Sequence, residues 1–181
     1  MKPIGILLFL LVFCFATAMQ AQAPKPDSEL KKFGALTGHW TYEGEYTPGP
    51  QGPGGKFTGD YTGQMVLGGF FFQGRWTEKG PAVEDKGFEI DGYDPVNKGF
   101  FSNWYASDGF RFLGGLTFAG NTYAYAGKVV MAGKQYQFRG TFVFGPDLTT
   151  GTFKTEISAD GQTWTTFVEE KWTKAKPAPK K

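Results

Sequence analysis

Gln135-Tyr136-Gln137-Phe138-Arg139-Gly140-Thr141-Phe142-Val143-Phe144 alternates polar and ring side chains, with a glycine standing in the middle of the apolar row. Successive side chains of a strand point to opposite faces. Tyr136, Phe138, Gly140, Phe142 and Phe144 therefore share a dry face, while Gln135, Gln137, Arg139 and Thr141 look to water. The pattern recurs along the chain. Strands are predicted over residues 39–46, 56–67, 70–77, 87–93, 99–106, 110–118, 122–131, 135–144, 149–158 and 162–173. The first places Trp40, Tyr42, Gly44 and Tyr46 inward, and the second Phe57, Gly59, Tyr61, Gly63, Met65 and Leu67. The third places Phe70, Phe72, Gly74 and Trp76 inward, the fourth Phe88, Ile90 and Gly92, and the last Trp164, Thr166, Val168, Glu170 and Trp172. In 99–106 the large residues Phe100, Phe101, Trp104 and Tyr105 populate both faces.

The joints are short. Ser107-Asp108-Gly109, Gly120-Asn121, Gly133-Lys134 and Asp160-Gly161 are hairpin turns, in which positive φ is cheap. Each strand then pairs antiparallel with the next. No predicted helix is long enough to cover a sheet face, so closure hides both the apolar face and the edges. The fold expected is all-β: a roughly ten-stranded antiparallel up-and-down barrel with a short N-terminal helix. That helix is capped by Asp27 or Ser28, runs to about Leu36, and carries Leu30, Phe33 and Leu36 on one side, suited to plugging one end of the barrel. The Pro/Gly-rich stretch 48–55 reads as a flap at the mouth.

The first residues read differently. Lys2, an apolar run over 4–15 and then Ala16-Thr17-Ala18 have the order of a secretory signal peptide, cut after Ala18, Ala21 or Ala23. The expected organisation is a signal and cleavage region over 1–23, a linker and short helix over 24–37, a barrel domain over 38–173 and a disordered Lys/Pro tail over 174–181. A secreted or periplasmic location follows. Cys14 is the only cysteine and leaves with the signal, so no disulfide or thiol chemistry is expected. The formal net charge is +2, and Lys2, Lys174, Lys176, Lys180 and Lys181 lie at the two ends, so the body between them sums to −3. That is no surface for nucleic acid, and no integral membrane association is expected.

Leu36-Thr37-Gly38-His39-Trp40 resembles the Gly-x-Trp opening of lipocalin-like (calycin) barrels, in which the tryptophan closes the barrel floor. Gly38 and Trp40, Leu67-Gly68-Gly69-Phe70-Phe71, Gly92-Tyr93-Asp94, Asn103-Trp104 with Asp108-Gly109, and Asp160-Gly161 with Trp164 are together similar to a secreted bacterial family catalogued as a domain of unknown function. The resemblance spans nearly the whole mature chain and implies a calycin-like barrel. It brings no established activity and no agreed catalytic residues. Nitrobindin-like calycin barrels hold haem through a histidine. The one histidine here, His39, shares parity with Thr41 and Glu43 and faces water, so haem by that route is not expected.

Catalytic chemistry is sparse. His39 points away from any Ser-His-acid arrangement, zinc ligands are not clustered, and Asp91-Gly92-Tyr93-Asp94 lacks the further ligands of a calcium loop. No metal and no cofactor is expected. Glu170 stands out, because it shares the apolar row of Val168 and Trp172; a carboxyl in a dry barrel favours its neutral form and is a candidate ligand anchor or proton donor. Alternatively it turns outward at the strand end to pair with Lys171 or Lys174. Arg75, Arg111 and Arg139 fall on the outer face. The glycines admit two arrangements. In one, Gly44, Gly59, Gly74, Gly114, Gly127 and Gly140 form a bare belt around a pocket. In the other, neighbouring rings fold over the gaps. The candidate lumen residues are Tyr42, Tyr61, Phe72, Phe112 and Tyr125, with Phe138, Phe142 and Glu170. The function they suggest is non-enzymatic binding of a small hydrophobic molecule. The alternatives are an enzyme of the same fold using Glu170 or a lumen tyrosine as acid or base, and a filled barrel acting through its surface.

Overall fold

The computed structural model describes residues 25–50, 52–81 and 83–176. The expected signal peptide and the last five residues of the tail lie outside the described residues. Ten strands follow one another: β1 (Gly38–Tyr46), β2 (Gly55–Val66), β3 (Phe71–Gly80), β4 (Val83–Asp94), β5 (Gly99–Ala106), β6 (Arg111–Ala119), β7 (Thr122–Met131), β8 (Lys134–Phe144), β9 (Thr150–Ser158) and β10 (Thr165–Lys174). Each pairs antiparallel with its neighbour in sequence, and β1 pairs with β10 to close the barrel. The rings face the lumen, where Trp40, Phe72, Phe112, Val129 and Phe138 are almost wholly enclosed. Among the described residues no helix is long and apolar enough to cross a membrane.

The N-terminal helix is a 3-10 helix, Ser28–Leu36, whose Asp27 side chain accepts from the Glu29 amide. It plugs one end of the barrel. Phe33 is fully buried, stacks on Phe72 with centroids 5.2 Å apart, and meets Phe100 and Phe118 edge-on. Three polar contacts fasten its C-terminal half. Trp40 Nε1 donates to the Leu36 carbonyl at 3.2 Å, Lys174 Nζ donates to the Ala35 carbonyl at 3.2 Å, and the Tyr123 hydroxyl donates to the Lys32 carbonyl. Lys174 therefore ends β10, opposite Trp40, instead of opening a disordered tail.

The structure corrects the expected faces in three places. In β4 the register sets Asp91 opposite Phe72 and Glu89 opposite Gly74, so Gly87, Glu89 and Asp91 face in, while Phe88, Ile90 and Gly92 face out. The outward rings find partners there: Phe88 lies 5.4 Å from Tyr105, and Phe71 and Phe101 pack over Gly92. In β10 a bulge between Thr166 and Val168 inserts Phe167, and both Phe167 and Val168 are buried. The extra residue reverses parity upstream, so Trp164 leaves the inward row and lies under the Arg139 guanidinium, 4.3 Å from its ring centroid. Finally, β2 stops at Val66; Leu67 begins a 3-10 turn and is exposed, and Phe70 caps that turn instead of starting β3.

Candidate functional site

Several inward glycines, Gly63 beside those of the expected belt, lie against neighbouring side chains. A Cβ on Gly63 would fall 2.6 Å from Phe72 Cζ, and one on Gly44 would fall 2.9 Å from Glu170 Cγ; Gly59 lies beneath the Tyr42 ring and Gly114 beneath Phe112. Space nevertheless remains. A cavity of about 370 Å³ runs from Leu36, the last residue of the plug, to a mouth framed by Gly52, Pro53, Glu84, Asp85, Asp108 and Phe110. Of the 48–55 stretch, Gly52, Pro53 and Gly54 line the cavity, and Gly49 and Gly52 exchange paired hydrogen bonds. Tyr42, Tyr61, Tyr125, Phe138, Phe142 and Glu170 line the cavity. Phe72 and Phe112 are inward but do not line it; the first is under Phe33, and the second packs against Trp104 and Phe138.

Glu170 is buried, and its Oε2 accepts from Trp172 Nε1 at 2.5 Å, which removes the outward pairing with Lys171 or Lys174. It is one of four enclosed acids. Glu78 accepts from the Tyr42 hydroxyl at 3.0 Å and the Tyr46 hydroxyl at 2.7 Å. Glu89 accepts from the Tyr61 hydroxyl. Asp91 is completely buried; no close hydrogen bond reaches its oxygens, and the Ser102 side chain is the polar group that favours its charged form. Burial in a medium that solvates charge poorly dominates all four. It pushes Glu78 up to about 7 against the pull of the two tyrosines, and Glu89 up to about 7 against Tyr61. Asp91 is driven well above the carboxylate range by burial and then by Glu89; Glu170 is driven up by burial and then by Glu78. Burial, and next the neighbouring acids, also raise Tyr42 and Tyr61 far above the ordinary phenol value.

Sequence reasoning missed Glu78, Glu89 and Asp91. Glu78 continues the parity of Phe72, Gly74 and Trp76, so extending β3 by one residue finds it. The other two were hidden by the reversed face of β4. No group of three or more His, Cys, Asp or Glu side chains among the described residues is spaced to hold a metal ion. His39 is half exposed on the outer wall, its Nε2 3.1 Å from Asp60 Oδ1. Haem ligation through histidine does not fit this lumen.

The family model for proteins of unknown function DUF1579 matches residues 25–174, the whole barrel with its plug. The chain belongs to that family. No curated protein matches it. Among solved structures it is similar to the crystal structure of Rv2717c from M. tuberculosis, with a TM-score of 0.60 and 12% sequence identity over 84% of this chain and 100% of that chain. At that identity the likeness is one of fold.

Proposed function

We propose that this member of the family is a carrier or receptor that holds a small, largely apolar molecule in the barrel lumen. One observation carries the reading: an aromatic-walled cavity of about 370 Å³, bounded at one end by Leu36 of the plug helix and reaching the surface at the other. Enclosed apolar clefts of that size, with a few converging polar groups, are the ordinary form of small-molecule sites. Burial of ligand surface drives binding, at about 25 cal/mol per Å² of apolar area. Tyr42 and Tyr61, held far from titration, are poor proton donors and bases at neutral pH, which favours binding over acid/base chemistry through them. The signal-like start of the chain supports a role outside the cytoplasm.

Native mass spectrometry of protein purified from its own host tests the reading. A retained small molecule that is lost when Phe142→Trp fills the lumen is the expected result. Protein free of ligand, with tryptophan fluorescence from Trp104 and Trp172 unmoved by a panel of flat apolar compounds, overturns it.

A further inference from the structure

Six carboxyl groups line or frame the cavity: Glu78, Glu89 and Glu170 within, and Glu84, Asp85 and Asp108 at the mouth. No lysine, arginine or histidine is among the described residues that line it. The donors that reach the inner acids are all neutral: the hydroxyls of Tyr42 and Tyr46 on Glu78, the hydroxyl of Tyr61 on Glu89, and the indole of Trp172 on Glu170. Each of these donors is spent on a carboxyl. A carboxylate offers about four lone-pair sites, so acceptor capacity remains while these donors are used. A second, separate observation also marks the lumen as incomplete. Thr155 is buried and lines the cavity, and its hydroxyl, both a donor and an acceptor, has no hydrogen-bond partner. The lumen therefore holds polar capacity that no lining cation meets, and a charge removed from water is retained only where it is paired.

We propose that the lumen takes a lipophilic organic cation: an apolar, ring-bearing body carrying a protonated amine whose N–H groups meet Glu78 and Glu170. This rests on the carrier reading and specifies its ligand. The rings of Tyr42 and Trp172, stacked 4.4 Å apart and donating to Glu78 and Glu170 respectively, supply the apolar wall beside both acids. The acids do not converge as metal ligands do, so the cation is an amine on a carbon body.

The test uses three probes of one shape: 2-naphthylmethylamine, 2-naphthylmethanol and 2-naphthoate, titrated calorimetrically into the full chain at about pH 8, where the amine is charged and Glu78, raised to about 7, can release its proton. The amine should bind about tenfold or more tighter than the alcohol, as one charge-assisted hydrogen bond provides, and the naphthoate should bind weakest. Glu78→Gln and Glu170→Gln should each remove most of the amine's advantage over the alcohol; alcohol binding in the same variants reports that the lumen is intact. If the alcohol or the naphthoate binds as well as the amine, the inference fails and the carrier reading stands. If none of the three binds, both fail.

Discussion

Trp172 donates its indole N–H to Glu170 Oε2 at 2.5 Å, two residues back along the same strand, while its ring stacks on Tyr42 at 4.4 Å. One side chain thus holds a buried acid and forms part of the ring wall beside it. Trp172→Phe keeps much of the stacking and deletes the donor. It should destabilise the fold by about 2 kcal/mol, the cost of a buried acceptor left unmet. It should also move the Glu170 pKa further up, because the indole bond is what pulls it down. Urea denaturation reads the first effect, and carboxyl ¹³C titration by NMR reads the second.

Stability should fall as the solution becomes more alkaline. Glu78 sits at about 7 in the fold against an ordinary value of 4.5. Between those values the folded protein keeps a proton that the unfolded chain releases, so the contribution is fully present below 4.5 and is lost as pH rises through 7. For this one group the loss amounts to roughly 3 kcal/mol. Facing it are Tyr42 and Tyr46 from β1, Asp85 from β4, Asp108 from the β5–β6 turn and Glu170 from β10. Asp85 and Asp108 act in the same direction as burial. Denaturation midpoints at pH 5 and pH 8 should differ in the wild type, and Glu78→Gln should reduce the difference. Equal midpoints in the wild type would contradict the burial of uncompensated acid.

Phe33 anchors the plug. Phe33 is wholly buried among Phe72, Phe100 and Phe118. Phe33→Ala should cost about 3–5 kcal/mol, the range for a large ring lost from a core. With Phe33 gone the 3-10 helix is held by Leu30, Leu36 and a few hydrogen bonds, so its amides should also exchange with solvent faster than those of the β7–β8 ladder. Hydrogen exchange on this variant checks both statements.

Much of this was legible in the sequence. Period-two alternation in residues 122–144 and Asp-Gly or Gly-Lys turns fixed strand order and closure, because an antiparallel neighbour is all a two-residue turn allows. Leu30, Phe33 and Leu36 announced the plug. What escaped was wherever polarity and face disagree. In β4 the dry-face rule assigned Phe88 and Ile90 inward, yet a tyrosine hydroxyl from β2 can satisfy Glu89, and outward rings can cover one another. In β10 one inserted residue, Phe167, reversed the parity of Trp164, and no local motif marks such a bulge. The cavity was half legible: glycines seat rings as one arrangement held, and the space that remains depends on ring rotamers that alternation does not encode.

Two glycines separate seated rings from an empty belt. At Gly63 a Cβ would meet the Leu36 backbone carbonyl at 2.5 Å and Phe72 Cζ at 2.6 Å, and Phe72 is itself held under Phe33. Neither neighbour can withdraw without moving the plug. At Gly140 the nearest atoms are side-chain carbons of Thr155 and Phe153, at 3.1 and 3.2 Å, and Phe153 can shift toward the cavity it lines. Gly63→Ala should therefore destabilise by about 1–3 kcal/mol, as forced overpacking does, with Gly140→Ala well below it. Chemical denaturation of the two variants side by side decides the matter. Equal tolerance at both positions would mean that the floor of the barrel is loose, and that Phe72 does not need the gap which Gly63 leaves for it.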